Sequence, residues 1–296
     1  MTETTETIGE LVDIAENDSF IRDAVRTFRK NRMAMIGLTL VVFLFFVAFL
    51  APLLSPHDPY RVALDEQFLP PSFTYWLGTD NFGRDLLTRI LYGARISLIV
   101  GIVPSLVSLM IGVVMGIVSG YLGGRTDFAI MRLADIMIAF PSLLLAMVVM
   151  YTLGANLFNI FIALSLVGWA GVARVVRSQT LAVKEKEFIE AARANGITRA
   201  TIMVRHIFPN VVPTLIVLFS LSIPDAIMWE SSLSFLGVGV QPPESSWGLL
   251  VASGKEYLFS APLVAIMPGV AILITVLAFN FIGDGLRDAL DPYMND

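Results

Sequence analysis

The sequence has no cysteine and only two histidines among its 296 residues. The absence of cysteine excludes disulfides, thiolate metal ligands and cysteine nucleophiles. The two histidines, His57 and His206, are far apart along the chain, and neither belongs to a His-Glu-x-x-His zinc pattern. A Gly-x-Ser-x-Gly nucleophile motif is also missing. We therefore predict no metal site and no catalytic residues, which argues against an integral membrane enzyme.

Charge is scarce as well, because only 15% of the residues are Asp, Glu, Lys or Arg, whereas 56% are hydrophobic. Soluble domains have about 25% charged and about 45–50% apolar residues. This composition predicts an integral membrane protein. The net charge of −5 comes without a polybasic stretch, so we expect no nucleic-acid partner.

A phosphate-binding loop is nearly present but incomplete. Gly254 and Lys255 resemble its end, yet its first glycine would fall at Leu249. Glu256 replaces the Ser or Thr that would hold magnesium. We therefore expect no cofactor in this chain, and ATP with magnesium would have to bind to partner subunits.

Six segments are long and apolar enough to cross a membrane, since a bilayer core needs about 20 apolar residues in a helix. They cover approximately residues 33–54, 96–122, 130–151, 157–172, 211–235 and 263–283. The first is longer than a signal-peptide core, so we interpret it as a retained span. We predict an all-α protein with one transmembrane domain at residues 33–296, located in the cell membrane as a multi-pass protein.

Residues 1–32 precede that domain and differ from it in composition. The first 18 residues are acidic and poor in large apolar groups, so they cannot bury a core. An amphipathic helix is predicted next, with Phe20, Ile21, Ala24, Val25 and Phe28 at helical spacing. Lysine and arginine are concentrated in this segment and between the fourth and fifth spans, which predicts that both termini are cytoplasmic.

Charges inside the spans are few. Arg132 and Asp135 are three residues apart and are expected to pair on one helix face. Asp225 and Glu230 lie in the outer half of the fifth span, where they either line a water-filled translocation path or satisfy neighbouring helices. Acids do not recur along several spans, which weighs against a proton-driven carrier. An autonomous ion-coupled carrier or channel nevertheless stays the alternative.

The connection at residues 174–210 is the longest predicted cytoplasmic loop between spans, and loops of that length usually have a function. Its segment KEKEFIEAARANG favours a helix that ends at Gly196. Helical spacing places Phe188, Ala191, Ala192 and Asn195 on one face, which suits insertion into a partner's groove. A second short helix is predicted from Arg199 to Phe208, before the fifth span. A solvated connector is the alternative interpretation of this loop.

This loop resembles the EAA loop of ABC importer permeases, whose pattern is Glu-Ala-Ala, three residues, Gly, nine residues and Ile-x-Leu-Pro. The positions that match it in register are Glu190, Ala191, Ala192, Gly196 and Pro209. His206 replaces the Ile and Phe208 the Leu, and this His-Ile-x-Pro variant resembles the dipeptide/oligopeptide/nickel branch. Further blocks resemble the C-type peptide permeases of that branch, at residues 78–98, 123–146, 232–248 and 283–292.

The resemblance implies the architecture of a type I ABC importer permease and a transport function for di- or oligopeptides. Nickel or metal chelates and glutathione-like compounds are alternative substrates. The coupling contact with a cytoplasmic ATPase would involve Phe188, Glu190, Ala191, Ala192, Gly196, His206 and Pro209. The implied partners are a homologous second permease, two ATPases, an extracytoplasmic binding protein and the membrane lipid.

Overall fold

The computed structural model describes residues 22–290, and within this range the chain is helical. Residues 22–30 form α1, while Phe20 and Ile21 of the predicted amphipathic helix lie outside the described residues. The long helices are α2 (Arg32–Phe49), α4 (Leu86–Leu122), α7 (Leu157–Lys184), α10 (Phe208–Phe235) and α12 (Leu263–Leu290). The shorter helices are α3 (Ala51–Leu54), α5 (Gly124–Ala139), α6 (Ser142–Leu153), α8 (Glu187–Ala194), α9 (Arg199–Thr201) and α11 (Trp247–Gly254).

Five helices in the described range are long and apolar enough to cross a membrane, and the third predicted span is not a straight helix. It is divided into α5 and α6, which meet at an angle of 90°. Phe140, the residue before Pro141, is extended with φ −83° and ψ 139°. A proline disfavours helical geometry in the residue before it, so the break follows from the local sequence. The count of six spans holds only if this bent pair is one of them.

Two predicted spans are longer in the structure than their apolar cores. Helix α4 begins at Leu86 instead of residue 96, and the Asp85 side chain caps it by accepting a hydrogen bond from the backbone N–H of Thr88. Helix α7 continues to Lys184 instead of ending at residue 172. Hydropathy detects the part of a helix that suits lipid, whereas capping and packing decide where the helix ends.

Helices α4 and α7 pack closely along a stripe of glycines. Adding a Cβ atom at Gly112 or at Gly116 would bring it within 2.6 Å of the Cβ of Val172 or Val176. At Gly120 the nearest atom would be the Cβ of Thr180, at 2.8 Å. Small residues every fourth position allow two membrane helices to approach this closely. The stripe from Gly112 to Gly120 therefore lets α4 lie directly against α7.

The loop at residues 55–85 and the segment at residues 241–246 are held together by a buried arginine. Arg89 is 1% exposed, and its guanidinium donates hydrogen bonds to the backbone carbonyls of Pro59, Pro243 and Glu244. Within the loop, Tyr75 donates a hydrogen bond of 2.7 Å to Glu66, which raises the pKa of Tyr75. This end of the molecule is therefore a folded cap of chain segments that are remote in sequence.

The two described ends of the chain lie side by side. Asn31, which caps α2, donates a hydrogen bond of 3.4 Å to Asp288 near the end of α12. A Cβ atom at Gly285 would approach that of Ala34 within 2.3 Å, so α2 and α12 are in close contact. The short helix α11 packs between α10 and α12 at the other end of α12, where a Cβ atom at Gly254 would lie 2.7 Å from the backbone nitrogen of Ala265.

Candidate functional site

Helix α8, which contains the Glu-Ala-Ala sequence, ends in a motif that requires glycine. Gly196 has φ +75°, its N–H donates to the carbonyl of Arg193, and the N–H of Ile197 donates to the carbonyl of Ala192. This pair of hydrogen bonds defines a Schellman cap, and glycine is favoured where φ is positive. Gly196 is therefore needed to end α8, as the sequence predicts. A Cβ atom there would meet no other atom within 4 Å.

The two faces of α8 have opposite environments. Ile189 is fully buried and Ala192 is 5% exposed, and both pack in a cluster with the ends of α4 and α7. Phe188, Glu190 and Ala191 lie on the exposed face. The expectation that Ala192 shares an outward face with Phe188 was wrong, because the apolar pair formed with Ile189 is what anchors the helix.

The structure brings Phe188 close to His206, with ring centroids 6.5 Å apart. His206 lies in a π-helical segment, Ile202–Ile207, that joins α9 to α10 without an interruption. A separate short helix before the fifth span was predicted instead. Pro209 is exposed in the first turn of α10. A proline ring clashes with the carbonyl four residues earlier, and the wider π turn before it accommodates that clash.

Tyr121 is a further residue at this end that the sequence analysis missed. The guanidinium of Arg193 on α8 lies 5.4 Å from the centre of the Tyr121 ring, and the ammonium of Lys184 lies 5.9 Å from it. Tyr121 itself is 7% exposed at the end of α4. Cations over an aromatic ring are attracted to it, so α4, α7 and α8 meet at this side chain. An isolated tyrosine near the end of a span gives no sequence signal for such a role.

Two acidic residues on α5 tie that helix to α7. The carboxylate of Asp127 accepts two hydrogen bonds from Arg177, of 2.5 and 2.6 Å. Asp135 accepts one of 2.8 Å from Arg174, while Arg132, its expected partner, is 3.8 Å away. The predicted pair on one helix face is therefore present, but the shorter contact joins two helices.

A cavity of about 280 Å³ lies between α4, α6, α7 and α10. Asp225 of α10 lines it, together with serine hydroxyls and small residues of the three other helices. Within the described part of the chain, no hydrogen bond or ion pair satisfies the Asp225 carboxylate. A carboxylate facing lipid near the middle of a bilayer would cost several kcal/mol, so this face requires water or a protein partner.

Glu230 lies only five residues further along α10, but its side chain is enclosed by the fold. It is fully buried, and its Oε1 accepts hydrogen bonds from the hydroxyls of Ser234 (2.6 Å) and Ser246 (2.7 Å). Ser246 also caps α11 by accepting from the N–H of Leu249. Of the two alternatives from the sequence, Glu230 therefore forms a hydrogen bond with a neighbouring helix and does not line the cavity.

The chain matches two family models in separate parts of its length. Residues 112–296 match the model of binding-protein-dependent transport system inner membrane components. Residues 19–71 match the model of the N-terminal TM domain of oligopeptide transport permease C. Together the two matches include α8, the first span and the parts of the cavity that α6, α7 and α10 contribute.

Curated relatives are similar over nearly the whole chain. The dipeptide transport system permease protein of Bacillus subtilis is 44% identical, covering 93% of this chain and 86% of the relative. The oligopeptide transport system permease protein of Escherichia coli K12 is also 44% identical, with 98% and 96% covered. A glutathione transport system permease protein of Escherichia coli O6 is 42% identical, with 90% and 88% covered.

The fold is similar to that of a solved transporter. A chain of the MetNI methionine ABC transporter in an inward-facing conformation superposes with a TM-score of 0.56 at 20% identity. The match covers 70% of this chain and 96% of that chain. At this identity the likeness concerns the fold alone, which is that of a type I ABC importer permease.

Proposed function

The chain belongs to the family of binding-protein-dependent transport system inner membrane components, and on that premise we propose that it moves peptides and couples to an ATPase through α8. Membership makes it a multi-pass inner membrane permease subunit of an ABC importer and not an enzyme, because ATP hydrolysis belongs to a separate subunit. An ATPase and a binding protein are accordingly its partners. The substrate, the coupling contact and the composition of the permease pair are the proposal.

The anchored helix α8 is the observation that supports coupling. Its inner face is buried against α4 and α7, and its outer face presents Phe188, Glu190 and Ala191. A short helix with one exposed aromatic ring beside small residues suits the groove of a partner protein. Because Ile189 and Ala192 fix it to the bundle, a force on the outer face is transmitted to the spans. A solvated connector would not need this buried anchor.

Helix α7 provides a direct route from α8 to the cavity. It runs without a break from Leu157 to Lys184, three residues before α8 begins. Leu164, Gly168 and Val172 of the same helix line the cavity. Since the glycine stripe locks α4 to α7, we propose that both helices move together as a rigid body when the ATPases close.

The exposed carboxylate of Asp225 supports a second permease beside this one. We propose that the cavity face meets a homologous permease, with the translocation path between the two, while the other apolar helix faces contact lipid. The neighbouring positions of Asn31 and Asp288 agree with two termini on one side of the membrane. We infer that this side is cytoplasmic, as the distribution of Lys and Arg predicts.

Relatives named for dipeptide and oligopeptide transport favour peptides as the substrate. A relative named for glutathione transport, at 42% identity, keeps a glutathione-like compound as the second candidate. Glutathione is itself a small peptide derivative, so both candidates need a path that accepts amide groups and charges. We propose di- and oligopeptides because the dipeptide and the oligopeptide permease relatives each match more than nine tenths of this chain.

Charge reversal on the outer face of α8 tests the coupling. We expect Glu190→Lys to reduce ATP-driven uptake of dialanine at least tenfold, because it changes the docking face and none of the buried contacts. The measurement uses the complete importer in proteoliposomes, with uptake and ATP hydrolysis recorded together. The matched control is Glu185→Lys, which makes the same change at an exposed residue just before α8.

Normal uptake by Glu190→Lys would remove α8 from the coupling mechanism. Uptake that continues without ATP in the unmodified importer would favour an autonomous carrier instead.

A further inference from the structure

The cavity beside Asp225 contains one negative charge without a positive one, and more hydrogen-bond acceptors than donors. Asp225 is the one acidic residue among the described side chains that line it, and no Lys, Arg or His lies there. Nothing in the described part of the chain neutralises this carboxylate. A water-filled path that serves only as a passage would not need a lone fixed charge.

The serine hydroxyls of the cavity add acceptors rather than donors. Ser105, Ser108 and Ser222 donate their protons to the backbone carbonyls of Ser222, Ser165 and Phe219. A hydroxyl that has donated its proton keeps lone pairs that can accept a hydrogen bond. The cavity therefore combines a carboxylate with three oxygen acceptors, and Ser142 and the indole of Trp229 are its remaining side-chain donors.

A primary ammonium is the group that complements this arrangement. It carries one positive charge and three N–H donors, and it has no acceptor. Trp229 lies one helical turn after Asp225, and an aromatic wall adds attraction for a cation. The volume of about 280 Å³ accommodates one end of a peptide and not a long chain.

We propose that Asp225 and the serine oxygens form a subsite that binds the ammonium group of the cargo within the membrane domain. Asp225 is then a specificity-determining residue of the permease itself, in addition to any selection by the binding protein. The assignment of the bound ammonium to a peptide rests on the proposed function. The cation selectivity of the cavity does not depend on the identity of the cargo.

The absence of cysteine from the chain allows a direct test with Ser222→Cys, one turn before Asp225. The purified importer is treated with aminoethyl methanethiosulfonate (cationic) and sulfonatoethyl methanethiosulfonate (anionic), with and without ATP. Labelling of this subunit is followed by intact-mass spectrometry. The measured quantity is the rate of the cationic reagent divided by the rate of the anionic one. We expect this ratio to be about tenfold higher than the same ratio on free cysteine, because the carboxylate concentrates cations.

Adding Asp225→Asn to Ser222→Cys should reduce that rate ratio to the value on free cysteine. The control adds Asp65→Asn, which removes a charge from an exposed residue of the outer loop and should leave the ratio unchanged. A ratio that Asp225→Asn does not change would overturn the proposal. A thiol that reacts with neither reagent, in either nucleotide state, would show a cavity closed to water and would overturn it too.

Uptake of dialanine separates this inference from the proposed function. We expect Asp225→Asn to lower the initial rate about tenfold while Asp225→Glu keeps most of it. If the importer takes up no dialanine but the thiol test shows cation selectivity, the peptide assignment fails and the ammonium subsite remains. If dialanine uptake is normal in Asp225→Asn, the subsite proposal fails while the importer function stands.

Discussion

Asp225 and Glu230 are two acids on one helix, separated by five residues or about 7.5 Å along its axis. Glu230 is fully buried and accepts hydrogen bonds from two serines. Asp225 is exposed in a cavity and has no partner among the described residues. Five residues correspond to about 140° more than one full turn of a helix, so the two carboxylates leave α10 in different directions.

The contrast separates a structural acid from a candidate functional one. Glu230 joins the end of α10 to the start of α11, because Ser246 both donates to it and caps α11. Asp225 contributes no contact that holds the fold together in the described chain. Both hydrogen bonds of Glu230 reach Oε1, while its buried Oε2 has no partner among the described residues. Hydrogen bonds to a buried group favour a unique packing, whereas a carboxylate without any partner in an open cavity is available to a ligand.

The largest effect on stability is expected for Glu230→Ala. It removes the acceptor of two buried hydroxyls and leaves a void, so the free energy of unfolding should fall by about 4 kcal/mol. Thermal unfolding of the purified chain in detergent measures the change. Asp225→Ala is the control and should stay within about 0.5 kcal/mol of the original chain. Equal losses for the two variants would mean that the contrast between the acids is wrong.

A smaller effect is expected for Gly248→Ala in the first turn of α11. The new Cβ atom would lie 2.6 Å from the Cα of Ser231 and 2.8 Å from Oε2 of Glu230. Overpacking of this kind should reduce the free energy of unfolding by about 2–3 kcal/mol. The same assay applies, with Gly171→Ala as the matched control. Gly171 lines the cavity with no atom within 4 Å of an added Cβ, and a loss there as large as at Gly248 would contradict the prediction.

The smallest effect is expected for Ser246→Ala. It removes one hydrogen bond to Glu230 and the cap of α11, and the expected loss is about 1–2 kcal/mol. Ser222→Ala makes the same chemical change in the cavity and should be nearly neutral for folding. Unfolding in increasing denaturant would compare the two. The contrast between the two regions would need revision if Ser222→Ala were the more destabilising variant.

Helix α8 and its end were largely predictable because their signals are local. Helix-favouring residues between Glu187 and Ala194 and a glycine at the end are enough to predict α8. The buried face was not predictable to the residue, because Ile189 and Ala192 become its centre only when α4 and α7 supply the cluster around them.

The two acids of α10 show the opposite case. Both Asp225 and Glu230 stand in an apolar helix, and the sequence left two interpretations open for each. Ser234 is one turn from Glu230 on the same helix, so its hydrogen bond was predictable from the spacing. Ser246 belongs to a separate helix, so its hydrogen bond was not. The partners of Arg89, the carbonyls of Pro59 and Glu244, are likewise known only from the folded chain.

The sequence by itself determined the membrane character, the helical class, the family and the position of α8, because composition, hydropathy and short motifs act within single segments. Only the tertiary structure decided which acid is buried, at what angle the two halves of the third span meet and which groups line the cavity. The physical reason is that a buried polar group is stable only beside its hydrogen-bond partners. In this chain those partners come from helices that are distant in sequence and meet only after packing.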